Sequence, residues 1–143
     1  MTTATNATAR VVLDELVPAS EAGPARVRVS VPGYAYRLEL AVSGPTAALE
    51  GRRGRRVEGV VRGQALRAWR AAAGGCFIEP VWGVPRIVQG RVLAVDVDAN
   101  AVLLDLVFPA WITMEPSQPA GGWHTGDMLN FYVASGMTFT PSR

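Results

Sequence analysis

Apolar and polar residues alternate along much of the chain with a period of two. In segment 26–31 three valines alternate with two arginines and a serine, and segment 36–40 alternates again after a turn at Pro32-Gly33. This period places successive side chains on opposite faces of a strand. The two segments predict an antiparallel hairpin with Arg and Glu on its solvent face. Segment 10–17 is a further strand candidate.

A second hairpin is predicted between residues 86 and 108. Val92, Val95 and Val97 lead up to Asp98-Ala99-Asn100, whose Asp and Asn side chains favour a tight turn. The returning segment, 102–108, is apolar on both faces except at Asp105. This composition indicates a central strand that is covered on both sides. Pro109 is expected to end the strand.

Two valine-rich segments, 57–61 and 88–92, each carry a glycine at the same place. A glycine within a strand often marks a bulge or bend, which allows a sheet to close on itself. Segments 128–133 and 137–140 are expected to form a last hairpin. We therefore predict a mainly β fold: an antiparallel small barrel, OB-like or SH3-like, with one or two short helices. A β-sandwich is the alternative.

Two segments carry helix signals. Segment 43–51 combines a capping serine, an early proline and a closing glycine, which predicts a short helix. Segment 64–73 is alanine-rich, has Leu66 and Trp69 at helical spacing, and stops at Gly74-Gly75. The same residues could instead extend the strand at 57–61, so helix and strand both remain open.

The length of 143 residues fits one domain. We expect residues 1–9 to form a disordered tail and residues 10–143 a single β-barrel domain. Hydrophobic residues make up 49% of the chain and charged residues only 18%. Because fewer ionic groups than usual cover the surface, a subunit contact is expected, and a homo-oligomer is predicted.

Several chemistries are excluded by residue counts. All 14 basic residues are arginine, so neither a Walker-type phosphate loop nor a pyridoxal Schiff base can form. One cysteine, Cys76, cannot form an internal disulfide, and one histidine, His124, leaves too few ligands for an ordinary zinc site. We predict no cofactor and no metal.

The predicted location is the cytoplasm, with no membrane partner. The first residues lack the basic start and apolar segment of a secretory signal. The apolar stretch 101–114 is interrupted by Asp105 and Pro109, and it is shorter than the roughly 20 residues that cross a bilayer.

Positive charge is concentrated between residues 52 and 91, which carry nine arginines and two glutamates. Guanidinium groups bind phosphate with paired hydrogen bonds, and single-strand binders combine a basic groove with aromatic stacking. A nucleic-acid or other polyanion partner is therefore one hypothesis. Its candidate residues, four of which lie in a glycine-flanked loop expected to be flexible, are Arg52, Arg53, Arg55, Arg56, Arg67, Trp69 and Arg70.

A second candidate site is a small ligand pocket. Segment 76–86 is rich in aromatic residues and prolines, and the loop before residue 128 carries the single histidine. The proposed pocket residues are Glu79, Trp82, Arg86, His124 and Asp127. A small hydrolase centred on His124 is a further alternative, but the sequence has no Gly-x-Ser-x-Gly motif, and no catalytic residue is assigned. The leading hypothesis is a non-catalytic β-barrel domain that acts by binding or self-association.

Overall fold

A computed structural model of the chain describes residues 7–142. The fold is mainly β, with 53% of residues in strands and 2% helical. Its strands are β1 Ala9–Val17, β2 Arg26–Ser30, β3 Arg37–Val42, β4 Arg56–Arg70, β5 Phe77–Glu79, β6 Trp82–Gly83, β7 Ile87–Asp96, β8 Ala101–Asp105, β9 Pro109–Thr113, β10 Met128–Val133 and β11 Thr138–Pro141. One 3-10 turn, Ala120–Gly122, is the only helical element within 7–142.

The strands form a mixed sheet in which β4 takes part twice. One closed series of hydrogen-bonded neighbours is β1, β2, β3, β11 and β4, because β4 also pairs with β1. The other is β4, β10, β7, β8 and β9, because β9 also pairs with β4. We call these the first and the second circuit. Each circuit contains one parallel pair, β3 with β11 and β9 with β4, while its other pairs are antiparallel. The prediction of an antiparallel sheet is wrong in this respect.

The alternation found in the sequence sets the core. Val27 and Val29 of β2 are fully buried, and the arginines between and beside them face outward. The interiors of both circuits belong to one cluster of buried side chains, whose largest members include Phe131 and Phe139. The predicted tail falls mostly outside the described residues, although Ala9 already belongs to β1 and is fully buried.

The first two of the three predicted hairpins are present. β2 pairs antiparallel with β3, and β7 pairs antiparallel with β8. At the second turn Asn100 has φ 52°, the left-handed conformation expected there. The four residues 101–104 are all buried, as predicted for a central strand. Pro109 begins β9 rather than ending a longer strand, because the chain turns after Asp105.

The helix predicted at 43–51 is not formed, and these residues make turns instead. Segment 64–73 is strand through Arg70, which resolves that alternative. A bulge explains the misleading spacing. Tyr132 pairs with Arg67 and Val133 with Ala65, so Leu66 is an extra residue. As a result Ala65 and Ala68 are both buried, while Leu66 and Trp69, whose spacing suggested a helix, are both exposed.

The two strand glycines, Gly59 and Gly90, permit close backbone contact and lie outside the bulges. A Cβ atom at Gly90 would collide with the carbonyl of Asp105, and one at Gly59 with the carbonyl of Thr140. The segments predicted as the last hairpin, now β10 and β11, do not pair with each other. Both run antiparallel to β4, one after the other, so the chain continues in one direction along it.

Candidate functional site

The loop before β4 is a well-anchored turn. We call residues 51–56 the arginine turn. The N–H of Leu13 donates to the carbonyl of Arg55 at 2.9 Å, and the N–H of Gly54 donates to the carbonyl of Leu13 at 2.7 Å. Gly51 and Gly54 have φ of 74° and 80°, which favours glycine. The expected flexible loop is therefore tied to β1, and its side chains start from fixed positions.

The four side chains of the arginine turn are all exposed. Within residues 7–142 none of these guanidinium groups has a hydrogen-bond, ion-pair or ring partner. Most other arginines of the described chain do have one: Arg10, Arg26, Arg28, Arg37, Arg62, Arg70 and Arg91. The arginine turn thus concentrates uncompensated positive charge.

Two clefts open beside this turn. One, of about 380 Å³, includes Arg53 and Trp82, and we call it the Trp82 cleft. The other, of about 400 Å³, includes Arg52, Arg56 and Ser142. Both volumes lie within the range of small-ligand sites. Each cleft therefore offers an unpaired guanidinium group to an anion.

The indole of Trp82 is fixed but open. Its Nε1–H donates to the carbonyl of Ala35 at 3.2 Å, and the guanidinium carbon of Arg37 lies 5.9 Å from the ring centroid. The residue is nevertheless 69% exposed. A large aromatic surface therefore remains available to a flat ligand at one wall of the cleft.

The carboxylates of the Trp82 cleft are engaged by neighbouring side chains. Arg28 lies 2.9 Å from Glu15 and 3.3 Å from Glu39, bridging the two across β1, β2 and β3. Asp14 accepts a hydrogen bond from Ser30 at 3.0 Å. As far as residues 7–142 are concerned, these contacts leave Arg53 as the cation in the cleft that has neither an ion pair nor a ring contact.

The other predicted polyanion residues lie at the far end of β4. Arg56 and Arg67 are about 36 Å apart if β4 is taken as straight, at 3.3 Å per residue. The predicted set is therefore split between two places. Trp69 packs edge-on against Tyr132, with ring centroids 4.9 Å apart. We call Leu66, Trp69 and Tyr132, all exposed, the aromatic patch.

Arg70 is engaged at this far end, whereas Arg67 is not. Arg70 lies 3.0 Å from Asp127 and 5.8 Å from the ring centroid of Trp123. Arg67 has no partner in the described chain and lines a small cavity with Trp69 and Tyr132. Free positive charge is therefore sparser here than at the arginine turn.

The five residues predicted as one ligand pocket are also divided. The N–H of Arg86 donates to the carbonyl of Glu79, next to β6 and Trp82. Asp127 lies beside the middle of β7, where its carbonyl accepts from the N–H of Val92. Arg86 and Val92 are about 20 Å apart along the extended chain. Trp82 and His124 therefore belong to different surfaces.

The His124 region has the geometry of a turn. The carboxylate of Asp127 accepts the backbone N–H of His124 at 2.9 Å and binds Arg70 with its other oxygen. The His124 Nδ1 atom lies 4.0 Å from Asp127 Oδ2, beyond hydrogen-bond reach, and its side chain is 81% exposed. No serine, threonine or cysteine is hydrogen-bonded to the imidazole within residues 7–142.

Among residues 7–142 there is no group of three or more His, Cys, Asp or Glu side chains that could hold a metal ion. The same residues include no helix long and apolar enough to cross a bilayer. No protein-family model matches the chain, and comparisons with curated proteins and with solved structures likewise found no match.

Sequence reasoning missed the pairing of Arg53 with Trp82 in one cleft. Their meeting depends on β6 lying parallel to β3, with Trp82 opposite Arg37. Alternation in β3 correctly indicated that Arg37 and Glu39 face outward. Nothing in the two-residue strand β6 signalled its partner, since so short a segment has no readable periodicity.

Proposed function

We propose that this chain is a non-catalytic polyanion-binding domain built from two small OB-type barrels that share β4. Both circuits have the same order: three antiparallel strands, a strand parallel to the third, and a strand that returns to the first. This order is that of the five strands in an OB-fold, a barrel used to bind oligonucleotides and oligosaccharides. In the second circuit the three antiparallel strands are β7, β8 and β9, and the strand parallel to β9 is β4. Here β4 precedes the other strands in the chain.

The observation that carries the proposed function is the arginine turn. Four exposed guanidinium groups, which have no partner among residues 7–142, stand on a turn that two backbone hydrogen bonds tie to β1. Keeping four like charges close together costs free energy unless a counter-charge is recruited. Oxygens of a polyanion would supply that counter-charge with charge-assisted hydrogen bonds.

The test is the salt dependence of binding to a fluorescent single-stranded oligonucleotide of about 20 nucleotides and to inorganic polyphosphate. For single strands the slope of log K against log salt is about −0.7 per phosphate neutralised, so four arginines predict a slope of about −3. Arg52→Ala/Arg53→Ala should reduce the slope by about 1.4.

Arg67→Ala/Arg91→Ala is the matched control, because it removes two exposed charges from the second circuit, away from the arginine turn. It should leave the slope within experimental error of the original. Absence of binding to either polyanion at low salt would overturn the proposal, and equal losses in the two double variants would remove the arginine turn from it.

Self-association is the second candidate function, and the aromatic patch is the observation that favours it. Leu66 is 59% exposed and Tyr132 is 46% exposed on adjacent strands. Exposed apolar side chains that lie together often mark subunit contacts. Sedimentation equilibrium should then show a dimer that Leu66→Glu dissociates, while Val97→Glu, at the β7–β8 turn, leaves it intact. A monomer at high concentration would exclude this function.

A further inference from the structure

The Trp82 cleft combines two features that a bare phosphate polymer would not use together. Its indole is 69% exposed, and Arg53 on the arginine turn lines the same space of about 380 Å³. A phosphate chain gains from Arg53 and has no favourable contact with an aromatic face. A flat, uncharged ring attached to a phosphate gains from both.

Trp82 is better placed to stack on a ligand than the other exposed tryptophan. The hydrogen bond to Ala35 fixes the indole, so little side-chain freedom is lost on binding. Trp69 is only 36% exposed and already contacts the ring of Tyr132. The Arg37 guanidinium lies over the Trp82 ring, 5.9 Å from its centroid, and so places a second cation next to the indole.

We propose that the polyanion is single-stranded nucleic acid, with one unpaired base stacked on Trp82 and an adjacent phosphate bound by Arg53. This inference rests on the proposed function and assigns it a ligand class. The carboxylates of Glu15 and Glu39 are bridged by Arg28, which lowers their repulsion of the phosphate. A duplex is disfavoured because its bases are stacked on one another and cannot reach the indole.

The experiment measures fluorescence anisotropy with four probes of about 20 nucleotides each: oligo(dT), oligo(rU), an abasic oligonucleotide with the same phosphates, and a duplex. DNA and RNA both offer unpaired bases and phosphates, so comparison of oligo(dT) with oligo(rU) shows which of the two nucleic acids is preferred. The original chain should bind oligo(dT) or oligo(rU) about tenfold more tightly than the abasic probe, the size expected for one stacked base.

Trp82→Leu should weaken binding to the preferred single strand about tenfold and leave the abasic probe unchanged. Trp82→Phe retains an aromatic face and should recover most of the affinity. Trp69→Leu is the matched control and should change the affinity by less than about twofold. Thermal melting of each variant checks that it is folded.

The results separate base stacking on Trp82 from polyanion binding in general. Equal affinity for the abasic and base-bearing strands, equal affinity for the duplex, or full affinity in Trp82→Leu would overturn base stacking while leaving polyanion binding in place. Failure to bind any probe, together with failure to bind inorganic polyphosphate, would overturn the proposed function as well.

Discussion

The two ends of β4 differ in how their arginines are used. At the amino end the arginine turn carries four guanidinium groups that have no partner in the described part of the chain, beside two open clefts. At the carboxyl end Arg70 is held by Asp127 and Trp123, and the surface is dominated by the aromatic patch. One basic segment of sequence thus becomes two unlike surfaces, because an extended strand separates residues that a helix would keep close.

The largest loss of stability is expected from substitutions in the hydrophobic core that the two circuits share. Phe139 of β11 lies in the first circuit and Phe131 of β10 in the second, and both are fully buried. Phe139→Ala and Phe131→Ala should each lower the free energy of unfolding by about 3–5 kcal/mol. Urea unfolding followed by circular dichroism and tryptophan fluorescence measures this.

Because β4 belongs to both circuits, each variant should still unfold in a single transition by both probes. Two separate transitions in either variant would mean that the circuits fold independently, and that the two ends of β4 do not share one core.

A smaller loss of stability is expected when side-chain hydrogen bonds to the backbone of β4, near its carboxyl end, are removed. The side chain of Gln118 accepts a hydrogen bond from the N–H of Ala68 at 2.8 Å and donates one to its carbonyl at 2.6 Å. It thus satisfies the two backbone groups that a neighbouring strand would otherwise bind. Gln118→Ala should cost about 1–3 kcal/mol, because both backbone groups lose their partner. Gln64→Ala is the control, since its one bond is to the adjacent residue. Equal melting temperatures for the two variants would contradict this role.

The smallest changes in the free energy of unfolding are expected at exposed arginines, and they should differ between Arg70, which has an ion pair, and Arg53. Arg53→Ala should change the free energy of unfolding by less than about 0.5 kcal/mol, because its side chain has no partner among the described residues. Arg70→Ala should cost up to about 1 kcal/mol through its exposed ion pair with Asp127. Chemical denaturation resolves the order of the two. A larger loss in Arg53→Ala would show that the arginine turn contributes to stability.

The strands were largely predictable from the sequence because their side chains alternate between core and solvent. This held for Arg26–Ser30 and for the hairpin with Asn100 at its turn. Segment 64–73 could not be resolved, since the bulge at Leu66 gives a buried spacing of three. Local patterns carry no signal for such an irregularity, which depends on the partner strand β10.

The candidate site was predictable only in its parts. The arginines at 52–56 and Trp82 were each selected from the sequence, but they were assigned to different sites. Their common cleft depends on two contacts between residues distant in sequence: the turn against β1, and β6 against β3. Conversely, His124 and Trp82 were grouped together, although their segments bond to positions about 20 Å apart, at Val92 and at Arg86.

The most direct test of the account follows the four tryptophan indole N–H signals by NMR during titration with oligo(dT). The account predicts that the Trp82 signal shifts progressively and the Trp69 signal stays in place, with Trp82→Phe identifying the assignment. A shift confined to Trp69 would place the ligand at the aromatic patch and contradict the assignment of binding to the amino end of β4.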